Sequence, residues 1–75
     1  MNRPSLSKTE AAVLKTVHAE GSTDLYDLAQ AVGTGPRTVQ EAVQSLSHEN
    51  LVVVSDQGRR VACTPAGTDR ARALP

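Results

Sequence analysis

Asp24-Leu-Tyr-Asp-Leu-Ala-Gln-Ala-Val-Gly-Thr-Gly-Pro-Arg-Thr-Val-Gln-Glu-Ala-Val-Gln-Ser-Leu46 is the stretch that decides the fold of this 75-residue chain. Behind Asp24, a residue type that caps helix starts, Leu25, Leu28, Ala29 and Val32 recur at helical spacing over 25–32. Gly33 ends that segment, and Thr34-Gly35-Pro36 is a turn. Pro36 then opens a second helix at the position where a missing N–H costs nothing. Val39, Ala42, Val43 and Leu46 keep the apolar residues of that helix on one side. Two short amphipathic helices joined by a Gly-containing turn are the helix-turn-helix pattern, in which the second helix is offered to the DNA major groove.

Working outward from this pair, Ser7-Lys-Thr-Glu10 reads as a capping box, with Leu6 placed for a hydrophobic staple. Ala11, Val13, Leu14, Val17 and His18 follow as an apolar face, so a first helix is expected over 8–20, ending at Gly21. Residues 1–6 read as a flexible arm. Downstream, the third helix is expected over 36–49, closed by Asn50 in a left-handed conformation. Leu51-Val-Val-Val-Ser55 is short and β-branched, Asp56-Gln57-Gly58 is a turn, and Arg59 to Thr64 returns, giving a hairpin over 51–64. Thr64-Pro65 repeats the cap-plus-proline start, so a last helix is expected over 65–74, weakened by Gly67. The order is ααα-ββ-α: mainly α with a small β-hairpin, a winged helix-turn-helix in one domain over 1–75.

Composition bounds the function. Eight Lys and Arg balance eight Asp and Glu, so the net charge is zero, where nucleic-acid binding usually brings a basic surplus. Distribution matters more than the sum: Glu10, Asp24 and Asp27 sit at helix starts, and Arg37, Arg59 and Arg60 on the proposed contact elements. Cys63 is the only cysteine, which fits a reducing cytosol and leaves no disulfide to staple a small core. Tyr26 is the only aromatic, so the core must be aliphatic. No apolar run approaches the roughly 18 residues of a membrane span, and the N-terminus has no apolar signal segment. A cytoplasmic protein with no membrane contact is expected.

Arg37 and Gln40 lie in the first two turns of the third helix, opposite Val39 and Val43, and Gln44 one turn later. Arg can bond guanine O6 and N7 together, and Gln can do the same with adenine N6 and N7. A solvated helix face would present the same residue types. Gly35 and Pro36, which set the start of this helix, are counted with them as candidate DNA-contacting residues. Glu41 can accept from cytosine N4, repel phosphate, or pair with Arg37 at i, i+4; the intrahelical pair is favoured. Arg59 and Arg60 follow the hairpin tip, where one could enter the minor groove and the other hold a phosphate, or both could simply charge a strand edge. Tyr26 is expected on the exposed side of helix two, where its hydroxyl could meet phosphate or stay ordinary surface.

His18, His48 and Cys63 are isolated in sequence and lack the paired spacing of a zinc site, so no metal is expected. His18 reads as a core or boundary residue and Cys63 as a small buried hydrophobe. No nucleophile-base grouping, phosphate loop or carboxylate pair supports catalysis, so no enzyme and no cofactor are expected.

The local wording resembles a known group. Asp24 to Gly33 is similar to the second helix of winged-helix transcription regulators, Gly35 to Leu46 to their recognition helix, and Asn50-Leu-Val52 to the exit into the wing. Cys63-Thr-Pro-Ala-Gly67 resembles the Leu-Thr-Pro-x-Gly that closes the wing in the multiple-antibiotic-resistance (MarR-like) regulators. The resemblance covers about residues 7–70 and implies a phosphate contact for Thr38, which matches the Thr preceding the core Val. In that group longer terminal helices build the dimer and enclose a ligand pocket, and the wing is longer and more basic. This chain is shorter than that group, so a small-molecule effector is not expected.

Two functions follow. The first is sequence-specific binding of double-stranded DNA by a small prokaryotic transcription regulator acting as a homodimer, with the arm, helix one or the last helix as dimer surface. The second is a winged-helix protein-protein interaction module, which zero net charge and Glu41 favour. Local charge discriminates them: Arg37, Arg59 and Arg60 on a face free of acids favour DNA, and interleaved acids favour the interaction module.

Overall fold

The computed structural model describes residues 6–74; of the arm expected over 1–6, all but Leu6 lies outside the described residues, as does Pro75. Helix α1 spans Lys8–Glu20 and helix α2 spans Leu25–Val32, with strand β1, Ser22–Thr23, between them. Helix α3 spans Pro36–His48, followed by strands β2, Val52–Ser55, and β3, Arg60–Cys63, and by helix α4, Pro65–Ala73. The helices fall where caps and periodicity put them. Ser7 and Glu10 form the reciprocal capping box, with the Glu10 amide donating to Ser7 Oγ at 3.1 Å and the Ser7 amide to Glu10 Oε1 at 2.9 Å. Asp24 caps α2 by accepting the Asp27 amide at 2.7 Å. Asn50, with φ 63°, closes the exit from α3 in the left-handed region.

The hairpin is part of a larger sheet than the sequence suggests. Its strand order is β1-β3-β2, all antiparallel, so β3 is central: Ser22 pairs with Ala62 and Thr23 with Val61 on one side, and Val54 pairs with Val61 on the other. The expected two-stranded hairpin is present as β2 and β3, and β1 adds a third strand that the sequence does not announce. Two polar residues after Gly21 carry no alternation of their own; β1 exists because it satisfies the second edge of β3. The tip is a 3-10 turn over Asp56–Gly58 in which three successive residues have positive φ. Gly58, at φ 89°, meets that demand without a Cβ penalty, and the Arg59 amide donates back to the Asp56 carbonyl at 3.1 Å.

The core is aliphatic throughout. Val13, Leu14 and Val17 of α1 pack with Leu28 and Ala29 of α2, Val39, Ala42, Val43 and Leu46 of α3, and Leu51, Val52, Val61 and Ala71. The inward stripes of α2 and α3 are thus placed as the periodicity predicts. His18 is not: it is exposed, because Val17 is the last residue of α1 to face the core and His18 falls on the solvent side beside it. Cys63 is half-buried against the core, and desolvation raises its thiol pKa above the ordinary value of 9.0.

Thr64 ties the wing back to the end of α3. Its hydroxyl donates to the Asn50 carbonyl at 2.6 Å while accepting the Gly67 amide at 2.9 Å, and its own amide donates to the Leu51 carbonyl at 3.1 Å. Gly67 is what allows this. A Cβ built there would stand 1.7 Å from the Leu51 carbonyl oxygen, a backbone atom that cannot turn aside. The glycine that weakens α4 in isolation is required by its docking onto Leu51, the residue just before β2.

Candidate nucleic-acid interface

Helix α3 divides cleanly into two faces. Val39, Ala42, Val43 and Leu46 fix one face in the core, so the register of the other is set by the same residues. Arg37, Thr38, Gln40, Glu41 and Gln44 are all exposed, as are Gly35 and Pro36 at its start. Arg37, Gln40 and Gln44 form one stripe at i, i+3, i+7, three side chains with donors able to reach base edges. The helix starts without a side-chain cap bond, since its N-cap is Gly35, and the Val39 amide donates to the Gly35 carbonyl at 3.1 Å.

A second stripe, Thr38, Glu41 and Ser45, faces a shallow cleft of about 300 Å³ against Ser7, Thr9 and Glu10 at the start of α1. Two carboxylates, Glu10 and Glu41, line it. Among the described residues no ion pair joins Arg37 and Glu41, so the intrahelical pair expected from the sequence is not formed. Glu41 looks toward the start of α1, beside the stripe that carries Arg37 and Gln40. Ser7, Thr9 and Ser45 were not among the sequence candidates. Ser7 was legible only as a helix cap, Thr9 and Ser45 carry no signal beyond polarity, and only the packing of α1 on α3 brings the three to this face.

The two wing arginines have different surroundings. Arg60, at the start of β3, donates from Nη1 to Ser22 Oγ of β1 at 3.4 Å. Arg59 instead lines an open cleft of about 400 Å³ with Gln57 and Gly58 of the tip and with Asp24, Leu25 and Tyr26 of α2. Among the described residues its side chain has no hydrogen-bond or ion-pair partner. Tyr26 is 66% exposed, as expected for the outer side of α2. The fold thus brings Tyr26 and Arg59, 33 positions apart in the chain, to one concavity. Asp24 in the same cleft interleaves an acid there, although its carboxylate is engaged at the start of α2. Ser22 is the residue sequence reasoning missed here, hidden in a strand too short to leave a pattern.

Among the described residues no group of three or more His, Cys, Asp or Glu side chains could hold a metal ion, and no helix is long and apolar enough to cross a membrane.

No family model matches the chain. Its fold, however, is similar to that of MarR-type winged-helix regulators. BpsR of Bordetella bronchiseptica, whose DNA binding is regulated by 6-hydroxynicotinic acid, superposes with a TM-score of 0.82 at 26% identity, over 89% of this chain and 51% of that one. A MarR-family transcriptional regulator from Silicibacter pomeroyi superposes with a TM-score of 0.78 at 26% identity, over 89% of this chain and 48% of that one. NadR, solved in complex with 4-hydroxyphenylacetate, superposes with a TM-score of 0.82 at 17% identity, over 88% of this chain and 50% of that one. The chain spans about half the length of each of these proteins. The winged-helix reading of the sequence and its likeness to the MarR-like group are borne out at the level of the fold. Of these proteins, BpsR responds to 6-hydroxynicotinic acid and NadR was solved with 4-hydroxyphenylacetate bound.

Proposed function

We propose that the chain binds double-stranded DNA sequence-specifically, as the DNA-binding domain of a small prokaryotic transcription regulator working in the cytoplasm as a homodimer. One observation carries this reading: the exposed stripe Arg37, Gln40 and Gln44, on a helix whose opposite face is locked in the core. In this arrangement α3 enters the major groove with those side chains toward base edges, Thr38 reaches phosphate, and the hairpin flanks the groove as a wing. Rigid placement matters because base readout depends on donors held in register, and a helix anchored by four buried residues supplies that. The likeness to MarR-type regulators supports the class; the operator is this chain's own.

The second reading, a winged-helix protein-interaction module, is favoured by a specific observation. Acids interleave the basic positions: Glu41 on α3, and Asp24 in the cleft with Arg59. By the charge criterion this lowers phosphate affinity and suits a protein partner. Small molecules of the kind seen with BpsR and NadR are natural effectors to test on the DNA-binding form.

Selection from a random duplex pool at low and moderate salt separates the two readings. Enrichment of one sequence class that persists at moderate salt supports the DNA-binding regulator. Absence of binding at low salt, with the protein folded, transfers the interface to the protein-interaction reading.

A further inference from the structure

We infer that Tyr26 and Arg59 act as one clamp, closing from α2 and from the wing tip on a single backbone phosphate of bound DNA. The inference rests on the DNA-binding reading above and adds which residues share a contact. Tyr26 is the only aromatic residue of the chain, yet the fold leaves it 66% exposed while a wholly aliphatic core is built without it. Its neighbours across the cleft are the wing-tip residues Gln57, Gly58 and Arg59. A phenol O–H and a guanidinium fork both donate, and a phosphate offers only acceptors, so one phosphate can take bonds from both. The cleft is open and shallow, a shape that admits a backbone lying across it.

Arg60 does not share this role. Arg59 precedes β3 and lines the cleft, whereas Arg60 is spent on Ser22 Oγ at the edge of the sheet. The wing therefore presents one guanidinium to the cleft and turns the next toward Ser22 of β1. Two groups oppose a phosphate here. Asp24 lines the cleft, and Asp56 begins the tip turn. The Asp24 carboxylate accepts the Asp27 amide at 2.7 Å, so its charge is partly offset by the start of α2.

The test is a double-mutant cycle on binding to a short duplex of arbitrary sequence at low salt, with Tyr26→Phe, Arg59→Ala and the double variant. Tyr26→Phe keeps the ring and removes only the hydroxyl, and both positions are exposed, so thermal melts should match the parent. Each single change should weaken binding about ten- to hundredfold, the range for a hydrogen bond to a charged group. The double variant should lose little beyond the larger single loss. The same cycle with Arg60→Ala in place of Arg59→Ala should give losses that multiply. Multiplying losses for Tyr26 and Arg59, or a Tyr26→Phe protein that binds like the parent, overturns the clamp while leaving DNA binding intact. A parent that binds no duplex at low salt overturns the DNA-binding reading itself, and the clamp with it.

Discussion

Gly67→Ala sets two effects of opposite sign against each other. In a helix interior alanine is favoured over glycine by about 0.5–1 kcal/mol, so on propensity alone the change should stabilise α4. Against this stands the Leu51 carbonyl oxygen, 1.7 Å from where the new Cβ would lie, with Leu51 C at 2.7 Å. Ordinary contact requires α4 to withdraw by roughly 1.5 Å or more. That movement stretches the Thr64 amide bond to Leu51 and the Thr64 hydroxyl bond to Asn50, each contributing about 0.5–1.5 kcal/mol. It also loosens Ala71 and Leu51 in the core, where overpacking strain costs about 1–3 kcal/mol. The clash wins, with an expected net loss of about 2–4 kcal/mol. For a domain of this size that lowers Tm by roughly 10 °C or more. Urea and thermal unfolding of the two proteins, followed by far-ultraviolet circular dichroism, measure it. A Gly67→Ala protein as stable as the parent, or more so, would refute the docking of α4 on Leu51.

Leu46→Ala removes a side chain that is 1% exposed at the junction of α3 with the rest of the core, and should cost about 2–5 kcal/mol in urea unfolding. On a preferred duplex, Arg37→Ala should lose about 1–3 kcal/mol and relax preference at one base pair, while Arg59→Ala should weaken all duplexes alike and reduce the salt slope by about one unit; titrations at several salt concentrations read both. Asp24→Asn keeps an N-cap oxygen and deletes a negative charge from the cleft, so Tm should hold while binding at low salt tightens roughly two- to fivefold, an outcome that direct titration measures. Because burial raises the Cys63 thiol above 9.0, the stability tied to its neutral form is complete below that value and is lost as pH climbs through the raised one. Unfolding of parent and Cys63→Ala at neutral pH and above 9.0 should therefore show the parent losing ground at the higher pH.

The four helices were legible because each carries its own punctuation. Ser7 and Glu10, Asp24, Pro36 and Thr64-Pro65 start them, and Gly21, Gly33 and Asn50 stop them, all through groups within a few residues of one another. What the sequence hides is non-local. Ser22 and Thr23 become a strand only because β3 lies beside them, and Gly67 reads as a defect until Leu51, 16 positions earlier, is brought over it. The same limit governs the candidate interface. Exposure of Arg37, Gln40 and Gln44 follows from helical period alone. Sorting Arg59 from Arg60 requires the register of β3 against β1, and joining Tyr26 to Arg59 requires the wing to fold back toward α2.

The exposure of Tyr26 gives this protein an unusual optical character. With no tryptophan or phenylalanine, its near-ultraviolet signal comes from one phenol ring, and that ring is largely hydrated in the folded chain. Unfolding barely changes its surroundings, so a melt followed through it would look almost silent while the helices disappear. Whatever settles into the cleft between α2 and the wing, by contrast, must alter that ring first. A fluorophore deaf to folding and placed at the proposed contact reports on the cleft and not on the core, and in the free protein its ring resonances share the aromatic region only with two histidines.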